Sequence, residues 1–457
     1  MPSSRRPRSC RSETTTPRLW PTGGLWRHSD FLKLWSAETI SQFGSQVSGL
    51  ALPLVAIIVL DASAFEVAAL GTVEFAPFIL FTLPAGVWVD RLPRRPILIA
   101  GDLGRAALLA TIPITYVADV LTLGQLYVVG FLVGICTVFF DVAYQSYLPS
   151  LVERDQIVDG NSKLEVSRSA AQIGGPGVGG GLIELITAPY AILVDAVSFL
   201  ASALFVLRIR KDEGRVASTA PGERPSLWIE LKEGLRFVLG NPNLRAQAGC
   251  TATSNLFFSL GFSIVLVYFV RVLDLSPGLI GVVFSVGAAG SLVGAFTARR
   301  ISTRFGIGPT TIAVTLLQGP AMLLVALAPV EAPIPFLIAS QLAMGFVIVV
   351  YNIIQLSYRQ AICPPRLQGR MNSVMRFLVW GTIPIGTLAG GALGTWVGLR
   401  EAIVVSAIGG GASFLWILLS PQRHLHDMPE PIEEEPRTTE LGAGIPGTPD
   451  PLAPGDA

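Results

Sequence analysis

The chain has 457 residues, 51% of them hydrophobic and 14% charged, with a formal net charge of +1. A soluble domain carries about 25% charged residues, so this balance excludes that class and points to a multi-pass membrane protein. The net charge itself says nothing about partners; the placement of the charges does.

Residues 1–30 hold Arg5, Arg6, Arg8, Arg11, Arg18 and Arg27 among Ser, Thr and Pro, without an apolar core. They are expected to form a disordered basic tail and not a signal peptide. A membrane helix needs about 20 apolar residues. On that rule twelve spans are expected, at about 34–60, 65–89, 97–118, 122–147, 162–186, 189–208, 243–271, 276–299, 308–328, 333–359, 370–397 and 400–420. The reading is an all-α membrane protein with a six-helix bundle over 31–208, a linker over 209–242 and a second bundle over 243–420. In the linker, Trp228, Leu231, Leu235 and Val238 share one helical face, which suits a helix lying along a membrane surface. Residues 421–457, rich in Pro, Glu, Gly and Thr, are expected to be disordered.

The even connections carry Arg91, Arg94, Arg95, Arg154, Arg208, Arg210, Lys211, Arg299, Arg300 and Arg304, whereas the odd ones hold little beyond Arg271 and Arg400. That asymmetry predicts a plasma (inner) membrane protein with both termini in the cytoplasm. The halves repeat one another. Gly290–Arg304 echoes the basic connection after the second span. Asn372-Ser373 before Pro384 parallels Asn161-Ser162 before Pro176.

In the first span Glu38, Gln42 and Gln46 fall at a spacing of four, one polar stripe that should face the interior. Five acids lie inside predicted spans away from their extreme ends, Glu38, Glu74, Asp102, Asp141 and Asp195, all in the first half. Burial disfavours the charged form of a carboxyl, so proton exchange, if present, belongs there. Glu74 is the leading carrier, with Asp195 and Asp141 behind it. Asp102 and Arg105, three apart, read as a structural ion pair. Tyr144, Gln145, Asn255, Tyr351, Asn352, Gln355 and Trp380 are candidates for lining a pathway. Neutral polar and aromatic groups suit a bulky amphipathic solute. With no buried Arg or Lys pair expected at mid-membrane, they suit a dicarboxylate or sugar phosphate poorly. Four scattered cysteines and three terminal histidines make no metal set, and no cofactor is expected. Gly175, Gly177 and Gly180 formally spell G-x-G-x-x-G, but inside an apolar span with no strand before them. No G-x-x-x-x-G-K-[ST] loop occurs, and neither ATP nor nucleic acid is expected as a partner.

Gly86, Asp90, Arg91, Arg94 and Arg95 fall on the pattern G-x-x-x-D-R-x-G-R-R/K, with Pro93 in place of its second glycine. With twelve spans in two halves, this resembles the major facilitator superfamily. The runs Leu83–Arg91, Phe139–Gln145 and Asp195–Leu200 resemble its branch of enterobactin exporters and macrolide efflux proteins. Gly175, Pro176, Gly179 and Gly180 match the exporters' G-x-x-x-G-P-x-x-G-G, with Ala171 at the first glycine. The resemblance implies a monomeric carrier that exports a small molecule from the bilayer or cytoplasm by rocking two bundles, with protons as the coupled partner. It also implies that the loop residues latch the outward-open form, Asp90 resting on the start of the eleventh helix. The exporters' arginine in the fourth span is missing here, which leaves the route of the proton open. Uptake by the same fold, or a non-transporting membrane sensor, are the alternatives.

Overall fold

The computed structural model describes residues 25–89, 91–153, 156–211, 227–363 and 368–427. Asp90 of the expected latch lies outside that set. The described residues form helices and turns, and no strand occurs among them. The first half contains α1 (Ser29–Leu54), α2 (Ala64–Val89), α3 (Arg94–Val117), α4 (Leu123–Leu151), α5 (Ile157–Ile186) and α6 (Ala188–Leu207). A short α7 (Leu227–Gly240) precedes α8 (Pro242–Arg271), α9 (Pro277–Phe305), α10 (Ile307–Leu327), α11 (Ile334–Ile362), α12 (Gln368–Trp396), α13 (Leu399–Gly411) and α14 (Phe414–Leu418).

The starts follow local chemistry. Thr122, Asn241 and Ser276 each accept a backbone N–H from the first turn of α4, α8 and α9. Pro242 and Pro277 then occupy a first-turn position where no N–H is needed. Eleven of the membrane-length elements are apolar enough to cross a bilayer. The twelfth, α5, is not: Asp159, Lys163, Glu165 and Arg168 crowd its first half, and Gln172, Pro176 and the glycines dilute its second.

Helix neighbours repeat between the halves. In the first, α1 packs on α5 and α6, α3 on α4 and α6, and α2 on α4. In the second, α8 packs on α12 and α13, α10 on α11 and α13, and α9 on α11. Across the middle α5 meets α9 and α2 meets α12, a pair that the same twofold relation exchanges. The architecture is an all-α membrane fold of two pseudo-symmetric six-helix bundles. The turns after α1 and α8 repeat too: Val59-Leu-Asp-Ala-Ser63 and Val272-Leu-Asp-Leu-Ser276 both place their aspartate, Asp61 and Asp274, at φ 48°. A short polar side chain tolerates that left-handed geometry where a branched one does not.

The last expected span, 400–420, is found at Leu399–Leu418 with a turn inside it: α13 ends in Gly409-Gly410-Gly411, where Phe257 packs onto Gly409 and Gly319 onto Gly411. Glycine permits that close approach and also weakens the helix that follows. The N-terminal tail does not extend to 30, since Leu25 is buried beside Leu148 and Leu164 and begins a helical turn. The C-terminal tail does not begin at 421. Pro421–His424 forms a turn, and the carbonyls of Leu425 and His426 accept N–H bonds from Gly308 and Ile307 at 2.9 and 3.3 Å. Those amides head α10 and have no intrahelical acceptor, so the chain itself caps them.

Among the described residues, the arginines of the connections lie at one end of the bundle, hereafter the basic end; the turns after α1, α3, α5, α8, α10 and α12 form the far end.

Candidate functional site

Hydrogen bonds joining described residues of the two halves all lie toward the far end. Arg271 donates to Asp61 at 2.7 Å and to the Ala62 carbonyl at 2.8 Å. Glu184 accepts from the Gly278 amide at 2.9 Å, Thr395 from the Phe65 amide at 3.2 Å, and Thr72 and Thr387 share a 2.7 Å bond. The helices themselves cross on glycine. A Cβ on Gly180 would lie 2.4 Å from the Pro277 carbonyl oxygen, and one on Gly281 would lie 2.3 Å from that of Pro176. One turn round on α5, Gly175 and Gly179 face α1, against Gln46 and Val47. The Gly-Pro run thus clasps its own bundle on one face and the opposite bundle on the other, as small residues permit.

The seal ends at mid-membrane. Trp380 of α12 sits edge-on to Phe75 and Phe78 of α2, ring centroids 5.9 and 6.4 Å apart. Below this roof a cleft opens toward the basic end. Of the loop residues expected to latch that end, a Cβ on Gly86 would meet nothing within 4 Å, and Arg95 donates to the carbonyls of Val206 and Leu207 in its own half. Arg91 lies in the turn before α3, and Arg94 opens that helix.

The first-half wall carries carboxyls. Gln42 donates to Glu38 Oε1 at 2.7 Å, while Oε2, also buried, has no hydrogen-bond partner. Asp141 of α4 acts electrostatically on Glu38 and feels the charges of Arg105 and Arg168. Tyr144, one turn on, stacks on Phe140 with centroids 6.1 Å apart and keeps an unbonded buried hydroxyl; Gln145 beside it is exposed. Behind these, Arg105 is 4% exposed and Asp102 0%. They pair at 2.5 Å, Ser202 donates to Asp102 at 2.7 Å, and the guanidinium lies between the rings of Phe140 and Phe199 at 4.2 and 4.1 Å. Such a pair, boxed in by rings and helices α3, α4 and α6, is structural in geometry.

The structure brings Glu38, Gln42, Asp141 and Tyr144 together but not Glu74 or Asp195. Asp195 is buried in the α1–α6 contact, accepting from Ser198 at 2.9 Å and pressed against Gly44. Glu74 lies in the α2–α4 contact, where Gly130 and Gly134 leave room for it, and its Oε1 is buried without a partner. Gln46 is taken up in packing on Gly175.

The second-half wall differs from the expectation. Tyr351 is buried and its hydroxyl shares a 2.6 Å bond with Thr251 of α8. Gln355 donates to Asn352 at 3.3 Å, and Asn255 is half-buried on α8. A cavity of about 470 Å³ between α8, α11 and α12 is lined by Thr251, Gln355, Arg359, Asn372, Arg376 and Trp380. The guanidinium of Arg376 lies 4.9 Å from the Trp380 ring centroid. Two arginines therefore share this wall, Arg359 half-buried in the last turn of α11 and Arg376 exposed, so neither makes the buried mid-membrane pair whose absence was expected. Arg376 escapes a count of loop charges because it sits eight residues into α12. Its signal is a lone charge one turn before a tryptophan in an otherwise apolar run.

Comparison with known proteins agrees with this architecture. The model of the family described as Major Facilitator Superfamily matches residues 34–381 and again 248–445. The multidrug efflux pump Tap of Mycolicibacterium fortuitum is 26% identical over 359 residues, covering 76% of this chain and 85% of Tap. Macrolide efflux protein A of Streptococcus pyogenes is 25% identical over 218 residues, 47% of this chain and 53% of that protein. A bacterial homologue of the iron transporter ferroportin, solved in an inward-facing state, superposes with a TM-score of 0.66 at 16% identity, covering 85% of this chain and 98% of the homologue.

Proposed function

The chain belongs to the Major Facilitator Superfamily, and on that footing we propose that it exports a bulky amphipathic small molecule from the cytoplasm in exchange for protons. It is a multi-pass membrane transporter and not an enzyme; direction, coupling and orientation are the parts proposed. The arginine-bearing connections favour a cytoplasmic position for the basic end and both termini. In that orientation the structure is closed to the outside and open to the inside, ready to receive a solute from the cytoplasm or inner leaflet. Efflux names among the relatives favour export over uptake.

One observation carries the coupling: Glu38 holds a buried carboxyl oxygen with no hydrogen-bond partner, within the field of the carboxyl of Asp141. Two carboxyls that feel each other's charge rarely ionise together, so one proton on the pair is the economical state. Substrate entering the cleft takes the place of that proton, which leaves to the cytoplasm. Rocking of the bundles then opens the outside, where solute leaves and a carboxyl is reloaded. The loop residues Gly86, Asp90, Arg91, Arg94 and Arg95 latch the basic end in that second state. Glu74 is the remaining candidate carrier, since its oxygen too is buried and unpartnered. The transporter works as a monomer, each bundle serving as the other's fulcrum.

Inside-out vesicles test this reading. A panel of dyes and macrolides should accumulate when the vesicle interior is made acid and be lost when a protonophore is added. Accumulation that survives collapse of the gradient and needs ATP would overturn it.

A further inference from the structure

We propose that the cavity between α8, α11 and α12 holds the anionic head of the transported compound, so that preferred substrates are amphipathic anions with an aromatic or apolar body. The inference rests on the export reading and narrows its substrate class. Two guanidiniums, Arg359 and Arg376, line one cavity of about 470 Å³. Among the described residues neither has a carboxylate within ion-pair distance. The buried Nε of Arg359 has no hydrogen-bond acceptor at all. Within 243–420 the acids are Asp274, Glu331 and Glu401, and all three lie at the far end, remote from the cavity.

A partly desolvated guanidinium without an acceptor is costly, and a carboxylate, sulfonate or phosphate oxygen removes that cost through charge-assisted bonds. Gln355, Asn372 and Thr251 add neutral donors around the same space. Trp380, over which Arg376 lies, offers an aromatic face immediately above the head site. A charged head below and a ring platform above fit an amphipathic anion lying along α12.

Three dansyl compounds of one ring system test the site: dansylglycine (anion), dansylamide (neutral) and dansylcadaverine (cation). Binding to the purified transporter is read by energy transfer from tryptophan. Dansylglycine should bind about tenfold more tightly than dansylamide. Arg376→Gln should erase that ratio, and Arg376→Lys should keep part of it. Asn372→Asp, at an exposed position that does not threaten the fold, should move the preference to dansylcadaverine. A wild-type preference for the cation, no binding of dansylglycine, or a ratio unchanged in Arg376→Gln and Asn372→Asp overturns the proposal. The last result is what a purely conformational role for Arg376 gives, since all three ligands would then shift together. Flux of the same compounds in proteoliposomes tests the export reading separately. Flux without anion preference leaves the carrier and removes the site; preference without flux does the reverse.

Discussion

Gly180 and Gly281 pass each other at the α5–α9 crossing so closely that a Cβ on either would lie 2.8 or 2.9 Å from the other's Cα. No rotamer relieves a contact with backbone, so a methyl group there must push the bundles apart. Overpacking of this kind costs about 1–3 kcal/mol. If the cost falls only on the closed far end, the balance between the two states shifts by about 5- to 150-fold. Gly281→Ala should therefore hold the far end open. Labelling of a cysteine introduced at Ser285 from the outside should rise, and efflux should fall, with the protein still in the membrane. Unchanged labelling would remove the crossing from the gate.

The Arg271–Asp61 bond looks like a lock, but Asp61 is almost wholly exposed and such pairs contribute little. Asp61→Asn should change efflux by less than about twofold. Arg271→Ala should cost more, since it also loses the 2.8 Å bond to the Ala62 carbonyl. Equal effects from the two variants would contradict this ranking.

Glu38→Gln keeps the bond with Gln42 but removes the proton. Substrate should still bind and equilibrate across proteoliposomes, while gradient-driven accumulation falls by at least about tenfold and net flux loses its pH dependence. Proton release on substrate addition, followed with a pH dye, should vanish with it. If Glu38→Gln pumps normally and Glu74→Gln does not, the carrier is Glu74.

Arg105 and Asp102 are buried partners, so removing one strands the other. Arg105→Ala should lower stability in detergent by about 3–5 kcal/mol, read as a fall in thermal midpoint. The double variant Asp102→Asn/Arg105→Gln should lose less than the two single changes combined, because no lone charge remains. Additive losses would show that the two side chains act independently.

Much of this was legible in the chain. Runs of apolar residues separated by arginines admit few folds, and the helices begin and end within a few residues of the expected spans. The Gly175–Gly180 run is readable as a close-packing motif, but its partner Gly281 lies a hundred residues away and only the crossing identifies it. The Val59–Ser63 and Val272–Ser276 repeat is an open sign of twofold symmetry, explained by the positive φ each aspartate adopts. The carboxyls were visible as types but not as neighbours: Glu38 and Asp141 lie on different helices, and nothing in their spacing says that they face one cleft. Asp195 reads like a carrier by position, yet a glycine at 44 on another helix folds it away against Ser198. Arg376 could be found as a lone charge; that it shares a wall with Arg359 required the third dimension.

The docking of Leu425 and His426 onto the first amides of α10 gives the end of the described chain a fixed address. A fluorescent reporter or epitope appended beyond residue 427 is tethered to the second bundle beside α10, not left trailing from α14, so its distance to a label on the first bundle will track the rocking motion. A truncation at residue 420 would strip two backbone donors of their acceptors and expose Gly308 to solvent, so shortened versions made for crystallisation should retain residues 421–427.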